Sequence, residues 1–190
     1  MGERVLLAGG TEKSRELLQA LAAPGGWECC KLCHGGGEAR RALGEGEWTL
    51  LIINTPLGDE SGLELAMEAA ERTLAAVLLL VKAELAEVVA ARVERCGVMV
   101  VAKPVHKQLF DQALRFALAS RSRLAMLQQE NRRLEKKLEE LRLVDRAKCA
   151  LIQYRGMTEQ EAHRYIEKQA MDTRQTRGTV ALAVLEMYGA

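Results

Sequence analysis

The chain contains no apolar run long enough to cross a bilayer. The best of them, Ala75–Val81, falls far short of the roughly 20 residues a spanning helix needs. No export signal is visible either, because Met1-Gly2-Glu3-Arg4 leads straight into a strand-like Val5–Ala8. A cytoplasmic location is therefore expected, and with it reduced thiols for the five cysteines. Cys30-Lys31-Leu32-Cys33-His34 does spell C-x-x-C-H. Haem attachment of that kind belongs to exported proteins, and no second Cys-x-x-Cys or His pair completes a four-ligand metal set. The cysteines read instead as small apolar residues of a buried strand, and no metal or cofactor is expected. No cluster of acid, base and nucleophile is apparent, so an enzyme is not expected.

Charge is present in both signs but unevenly placed. Residues 1–120 hold 13 Lys/Arg against 16 Asp/Glu, and residues 121–190 hold 14 against 10. An acidic body with a basic tail points to an anionic partner at the C-terminal end, although solvated helix faces produce the same imbalance.

Residues 1–120 alternate between short apolar runs and amphipathic stretches. Strands are predicted at Val5–Ala8, Trp27–Cys33, Leu50–Ile53, Val77–Val81 and Val98–Ala102. Helices are predicted at Thr11–Ala22, with Thr11 as N-cap, and at Glu38–Leu43, Leu63–Arg72 and Ala86–Arg95, with a last one starting near Lys107. Five almost wholly apolar strands, each followed by a helix, predict a doubly wound five-stranded parallel sheet covered on both faces.

This βα order, with Gly37-Glu38-Ala39, Asn54-Thr55-Pro56 through Gly62, and Lys103-Pro104, resembles the response-regulator receiver domain, a flavodoxin-like fold. Receivers carry two acidic residues after the first strand that hold magnesium; the matching positions here are Gly9 and Gly10. The phosphoryl-accepting aspartate falls on Asn54 and the phosphate-sensing Ser/Thr on Lys82, so only Lys103 is retained. A hard divalent cation needs carboxylate oxygens, and an amide cannot form an acyl phosphate. The resemblance therefore implies a pseudo-receiver with a degenerate phosphorylation site. Gly9-Gly10-Thr11 is read as a plain strand-to-helix turn, with an anion cradle at the helix N-terminus as the alternative.

Residues 121–145 form a leucine seam. With Leu124 at heptad position a, Asn131 and Leu138 also fall at a, and Leu127, Leu134 and Leu141 at d. This predicts a homodimeric coiled coil. Asn131 favours parallel pairing, whereas Glu130 and Lys137 would pair across an antiparallel one. The alternative is a single helix laying its seam on its own receiver. No Pro or Gly occurs between Val105 and Arg155, so one helix is expected to run through into the final segment, a rod of roughly 75 Å at about 1.5 Å per residue.

Residues 146–190 are predicted to form a three-helix bundle. The long helix stops at Gly156, and Thr158-Glu159-Gln160-Glu161 is a capping box for a second helix with Ala162, Tyr165, Ile166, Gln169 and Ala170 facing inward. A turn follows at Asp172–Gln175, and Thr176 caps a third helix with Val180, Ala181, Val184 and Leu185 facing inward. Ala147-Lys148, Gly156-Met157-Thr158, Glu161-Ala162, Gln169-Ala170-Met171-Asp172, Arg174 and Val180-Ala181 make this segment similar to the ANTAR domain, the RNA-binding module of transcription antitermination regulators. Arg177 stands where that family commonly has an apolar residue, and Gly178 weakens the third helix by about 1 kcal/mol relative to alanine.

The resemblance implies binding of paired stem-loops in nascent mRNA leaders, which prevents a terminator from forming. Lys148, Arg155, Arg164, Lys168, Arg174 and Arg177 are the candidate phosphate contacts, and Gln153 and Tyr154 the candidate base contacts. The turn through Gly156, Met157 and Thr158 is included because it joins charge, a helix end and the family motif. Tyr154 reads equally well as core, and Arg164 and Lys168 equally well as solvated surface. With phosphorylation disabled, control is expected from a protein partner docking on the outer helix faces or the stalk, or from dimerisation. The alternatives are a protein-binding adaptor without RNA affinity and a phosphorylated response regulator.

Overall fold

The computed structural model describes residues 3–188, which fall into two compact units, Met1–Met126 and Leu127–Ala190. In the first unit, strands β1 (Arg4–Gly9), β2 (Cys29–Cys33), β3 (Leu50–Asn54), β4 (Ala76–Lys82) and β5 (Met99–Lys103) form one parallel sheet in the order β2-β1-β3-β4-β5. Between and after them lie helices α1 (Glu12–Ala22), α2 (Gly36–Gly44), α3 (Leu63–Arg72), α4 (Ala83–Val93) and the start of α5 (Lys107–Arg155).

Period-two alternation splits the apolar residues between two cores. Leu6, Leu51, Ile53, Val77 and Leu79 pack with α2, α3 and α4. Val5, Leu7, Leu50, Ile52 and Leu78 pack with Leu18 of α1 and Phe110 and Ala117 of α5. This is the doubly wound sheet read from the sequence. The β1/β3 boundary is where its winding direction changes, so Gly9 and Asn54, register partners there, sit at the strand ends where such sheets bind ligands.

Two expectations need correction. Strand β2 begins at Cys29 rather than Trp27, because the Trp27 indole turns back to donate to Ala22 O at 2.9 Å. β2 is also an edge strand and is only partly buried. Cys33 is enclosed and its thiol is pushed up to about 11, chiefly by burial, whereas Cys30 is exposed and Cys29 half-buried. The filler role therefore fits Cys33, with Cys29 and Cys96 packed at the edge of the same core, and does not fit Cys30. All five thiols are free.

The long helix is continuous from Lys107 to Arg155. In the second unit its last turns pack with α6 (Glu159–Thr173) and α7 (Arg177–Tyr188). Val144, Ala147 and Leu151 of α5 meet Ala162, Ile166 and Ala170 of α6 and Val180, Ala181, Val184 and Leu185 of α7. Gly156, at φ 66°, ends α5 in the left-handed conformation that glycine tolerates. The capping box is complete: Glu161 N–H donates to Thr158 Oγ1 at 3.3 Å, and Thr158 N–H donates to Glu161 Oε2 at 2.8 Å. Tyr165 and Gln169 are half-buried at the edge of the inward face. The turn expected at Asp172 begins later, since α6 runs to Thr173 and Arg174 terminates it at φ 55°. Gly178 is buried, and a Cβ there would come within 3.2 Å of Glu140 Cγ, so its weak helix propensity is exchanged for close approach to α5.

Candidate functional site

At the strand ends of the first unit, Lys103 Nζ donates to Asn54 Oδ1 at 3.0 Å and to Thr55 O. Both acceptors are neutral. Burial, and then repulsion from Lys82, the register partner on β4, hold the Lys103 ammonium below the ordinary lysine range. Asn54 is buried, with Nδ2 3.5 Å from Ser14 O. Lys82 is exposed and opens α4 without a side-chain cap.

The two glycines of β1 and its following turn are fixed by their surroundings. A Cβ at Gly10 would lie 2.5 Å from Gly58 N and 2.7 Å from Leu57 C, so the backbone of the β3–α3 loop fills the space a side chain would need. A Cβ at Gly9 would lie 2.8 Å from Ser14 Oγ. The Arg15 guanidinium turns toward the Gly9 and Gly10 carbonyls at 3.4 and 3.5 Å, placing a cation beside the positions where receivers carry acids. The two carboxylates of that loop are turned elsewhere: Asp59 accepts from Gly36 N–H at 2.8 Å and Gly37 N–H at 3.1 Å, and Glu60 accepts from the Arg40 guanidinium at 2.8 and 3.1 Å. The bonds to Asp59 cap α2 and hold Asp59 below the usual carboxylate range. Among the described residues no three His, Cys, Asp or Glu side chains gather as a metal's ligands would.

In the second unit the six candidate cations divide. Lys148 is largely enclosed, its side chain 17% exposed, between Asp145 Oδ1 at 2.8 Å and Glu159 Oε1 at 3.4 Å. Hydrogen bonding to Asp145, and less to Glu159, raises its pKa. Arg177 lies 3.7 Å from Glu167 Oε1. Arg155 Nε donates to Tyr188 Oη at 2.7 Å, and its guanidinium sits over the Tyr165 ring at 5.6 Å. Arg164, Lys168 and Arg174 have no carboxylate partner among the described residues and are exposed. Arg164 and Lys168 are one turn apart on the side of α6 opposite Ala162, Ile166 and Ala170.

Tyr154 is 54% exposed and stacks on Tyr188, with centroids 5.2 Å apart and planes within 3°. Gln153 and Gly156 are exposed beside it, Met157 packs on the core, and the Thr158 side chain is engaged in the capping box. Tyr188 and Glu159 were not singled out in the sequence. The spacing Ala181, Val184, Leu185, Tyr188 places Tyr188 on the inner face of α7 and could have revealed it. The Glu159–Lys148 bridge crosses the Gly156 turn and leaves no local signature.

Residues 132–185 match the ANTAR domain family. The C-terminal unit is an ANTAR domain. The match begins upstream of Arg146, in agreement with the use of Leu143 and Val144 by the ANTAR core. The chain as a whole is similar to the transcriptional regulatory protein PdtaR of Mycobacterium tuberculosis, 28% identical over 186 residues covering 98% of this chain and 91% of that protein. The ANTAR domain thus follows a receiver fold. A signal receiver domain of an HD domain-containing protein from Pseudomonas fluorescens Pf-5 superposes with a TM-score of 0.58 at 21% identity, over 66% of this chain and 93% of that one. A response regulator receiver domain protein from Clostridium thermocellum superposes with a TM-score of 0.56 at 17% identity, over 64% and 98%. No helix among the described residues is long and apolar enough to cross a membrane.

The seam leucines of α5 are open to solvent in the single chain, with Leu134 49% and Leu138 55% exposed, and Leu124, Leu127 and Leu141 similar. Asn131 lies exposed among them.

Proposed function

We propose that the protein is a cytoplasmic, non-enzymatic RNA-binding antiterminator that grips paired stem-loops in nascent mRNA leaders through its ANTAR domain. The observation that carries this reading is the set of exposed cations on and beside α6, Arg164, Lys168 and Arg174, free of carboxylate partners among the described residues within a segment that matches the family. Lys148 takes a different part: it braces α5 against α6 and so sets the Gly156 turn. Tyr154, with one ring face on Tyr188, offers a stacking surface for an unpaired loop base.

Two chains pair through Leu124, Leu127, Asn131, Leu134, Leu138 and Leu141, which presents two ANTAR domains to two stem-loops. Five leucines exposed along one stripe support this pairing. Control is independent of phosphorylation, because Asn54 offers no nucleophile and Gly9 and Gly10 no metal ligands. A partner protein or RNA-driven dimerisation supplies the switch.

A gel shift with a tandem hairpin RNA at low and high salt tests the reading. Binding that weakens with salt is expected; no binding even at low salt leaves only the adaptor alternative. Incubation with acetyl phosphate and magnesium is expected to leave no hydroxylamine-labile phosphoryl group, and any uptake would return the protein to the phosphorylated regulators.

A further inference from the structure

A groove of about 430 Å³ runs along α4, beside the degenerate phosphorylation site, sharing Lys82 with it and lined also by Thr55, whose carbonyl accepts from Lys103. Its floor is Leu79 and Val81 of β4, and its open rim is Leu85 and Val88 of α4, which are 52% and 63% exposed. The polar groups in its lining are hydroxyls and cations, Ser61, Lys82 and Arg92 among them, and no carboxylate lines it. Neither Lys82 nor Arg92 has a carboxylate partner among the described residues. Ser61 Oγ accepts from Leu63 N–H at 3.3 Å and keeps its own proton to donate. Lys82 also stands at the uncapped start of α4, where unpaired N–H groups add positive potential.

An apolar trough with cations and no anions selects its occupant by charge and by shape. A free inorganic anion would leave Leu85 and Val88 wet, and a neutral apolar molecule would leave Lys82 and Arg92 unused. The volume lies in the range of about 300–1,000 Å³ that small organic ligands occupy. We infer that this groove binds an elongated amphipathic organic anion, with its carboxylate at Lys82 and Ser61 and its apolar chain along Leu85 and Val88 toward Arg92.

Such a ligand would also act on the neighbouring site. Lys82 repels Lys103, and Lys103 holds Asn54 and Thr55. Neutralising Lys82 relieves that repulsion at the strand ends where receivers are phosphorylated. A chemical signal would then enter at the place where the covalent one has been lost. The inference stands apart from the RNA-binding reading, because its test contains no RNA.

The full chain, methyl-labelled at Leu and Val, is titrated with octanoate, octanol and acetate and followed by NMR. Octanoate is expected to give saturable shifts at the Leu85 and Val88 methyls, and acetate none. Lys82→Ala, a change at an exposed position, is expected to weaken octanoate about tenfold and leave octanol unchanged. The Lys103 side-chain signals should titrate at higher pH with octanoate bound. The inference is overturned if octanoate produces no saturable shift at low-millimolar concentration, if its shifts fall outside the groove, or if octanol competes with it equally in both the parent chain and Lys82→Ala.

Discussion

Lys103 Nζ lies 3.0 Å from Asn54 Oδ1, so this ammonium at the strand ends is held by an amide dipole and not by a carboxylate. Its pKa is depressed by burial and by Lys82, which means that holding it charged costs stability at pH values below its folded pKa. That cost fades as the pH rises through the folded pKa. Asn54→Asp supplies the missing charge. An NMR titration of Lys103 in this variant is expected to show its pKa raised toward the ordinary value of about 10.4. The variant should still remain unlabelled by acetyl phosphate with magnesium, because residues 9 and 10 bring no carboxylate to a metal.

The close approach of Gly10 to the Leu57–Gly58 backbone gives a second test. Gly10→Asp forces the loop to move and is expected to destabilise the receiver by about 1–3 kcal/mol, seen as a lower midpoint in thermal unfolding. Gly44, where an added Cβ meets nothing within 4 Å, is the control. Gly44→Ala should leave the midpoint unchanged or raise it.

The division among the ANTAR cations can be read from salt dependence. Arg164→Gln, Lys168→Gln and Arg174→Gln remove charge and keep a polar, helix-compatible side chain. Each is expected to lower the slope of log affinity against log salt by about 0.7–0.9. Lys148→Ala should instead lower the thermal stability of the domain, by about 0.2–1 kcal/mol for each ion pair lost. If Lys148→Ala changes the salt slope and leaves stability intact, the roles assigned to these residues are reversed.

The stripe of exposed leucines makes oligomeric state measurable. Leu134→Glu with Leu138→Glu places four like charges in the seam of a pair, and sedimentation should report a monomer at concentrations where the parent chain is a dimer. Asn131→Leu should tighten association while loosening its register.

Acid sensitivity of the ANTAR domain is expected to run through Glu161. Its carboxylate accepts from Thr158 N–H at 2.8 Å and from Thr158 Oγ1 at 2.9 Å, and these bonds lower its pKa. With the folded pKa below the unfolded one, the stabilisation is present above about pH 4.3 and is lost as the pH falls through the folded value. Glu161→Gln should flatten that acid limb in a stability-versus-pH series. Thr158→Ala should cost about 0.5–2 kcal/mol at neutral pH.

What could be read in advance followed the range of the interaction. The Thr158–Glu161 capping box, the Gly156 stop and the inward stripe of Ala162, Ile166 and Ala170 are set within a few residues of chain, and all were visible as spacing. The parallel sheet was legible because strands buried on both faces are apolar throughout. The partial exposure of Cys29–Cys33 was not, since nothing local marks a strand as the edge of a sheet. The ion pairing of Lys148 was hidden for a similar reason. Glu159, from the next helix, comes beside it only across the folded Gly156 turn. Asp59 reaches 23 residues back along the chain to cap α2, a contact that only the folded loop reveals.

The β3–α3 loop lying against Gly10 leaves no room there for an acidic side chain without moving main chain. Restoring an aspartate at 54 returns a nucleophile with no metal, and restoring an acid at 10 meets main chain that has settled into the vacated space. A phosphorylatable site would therefore need changes at both 54 and the end of β1, together with a shift of the β3–α3 loop. On the proposed phosphorylation-independent reading, the surfaces bordering Asn54 are where a non-covalent signal would act.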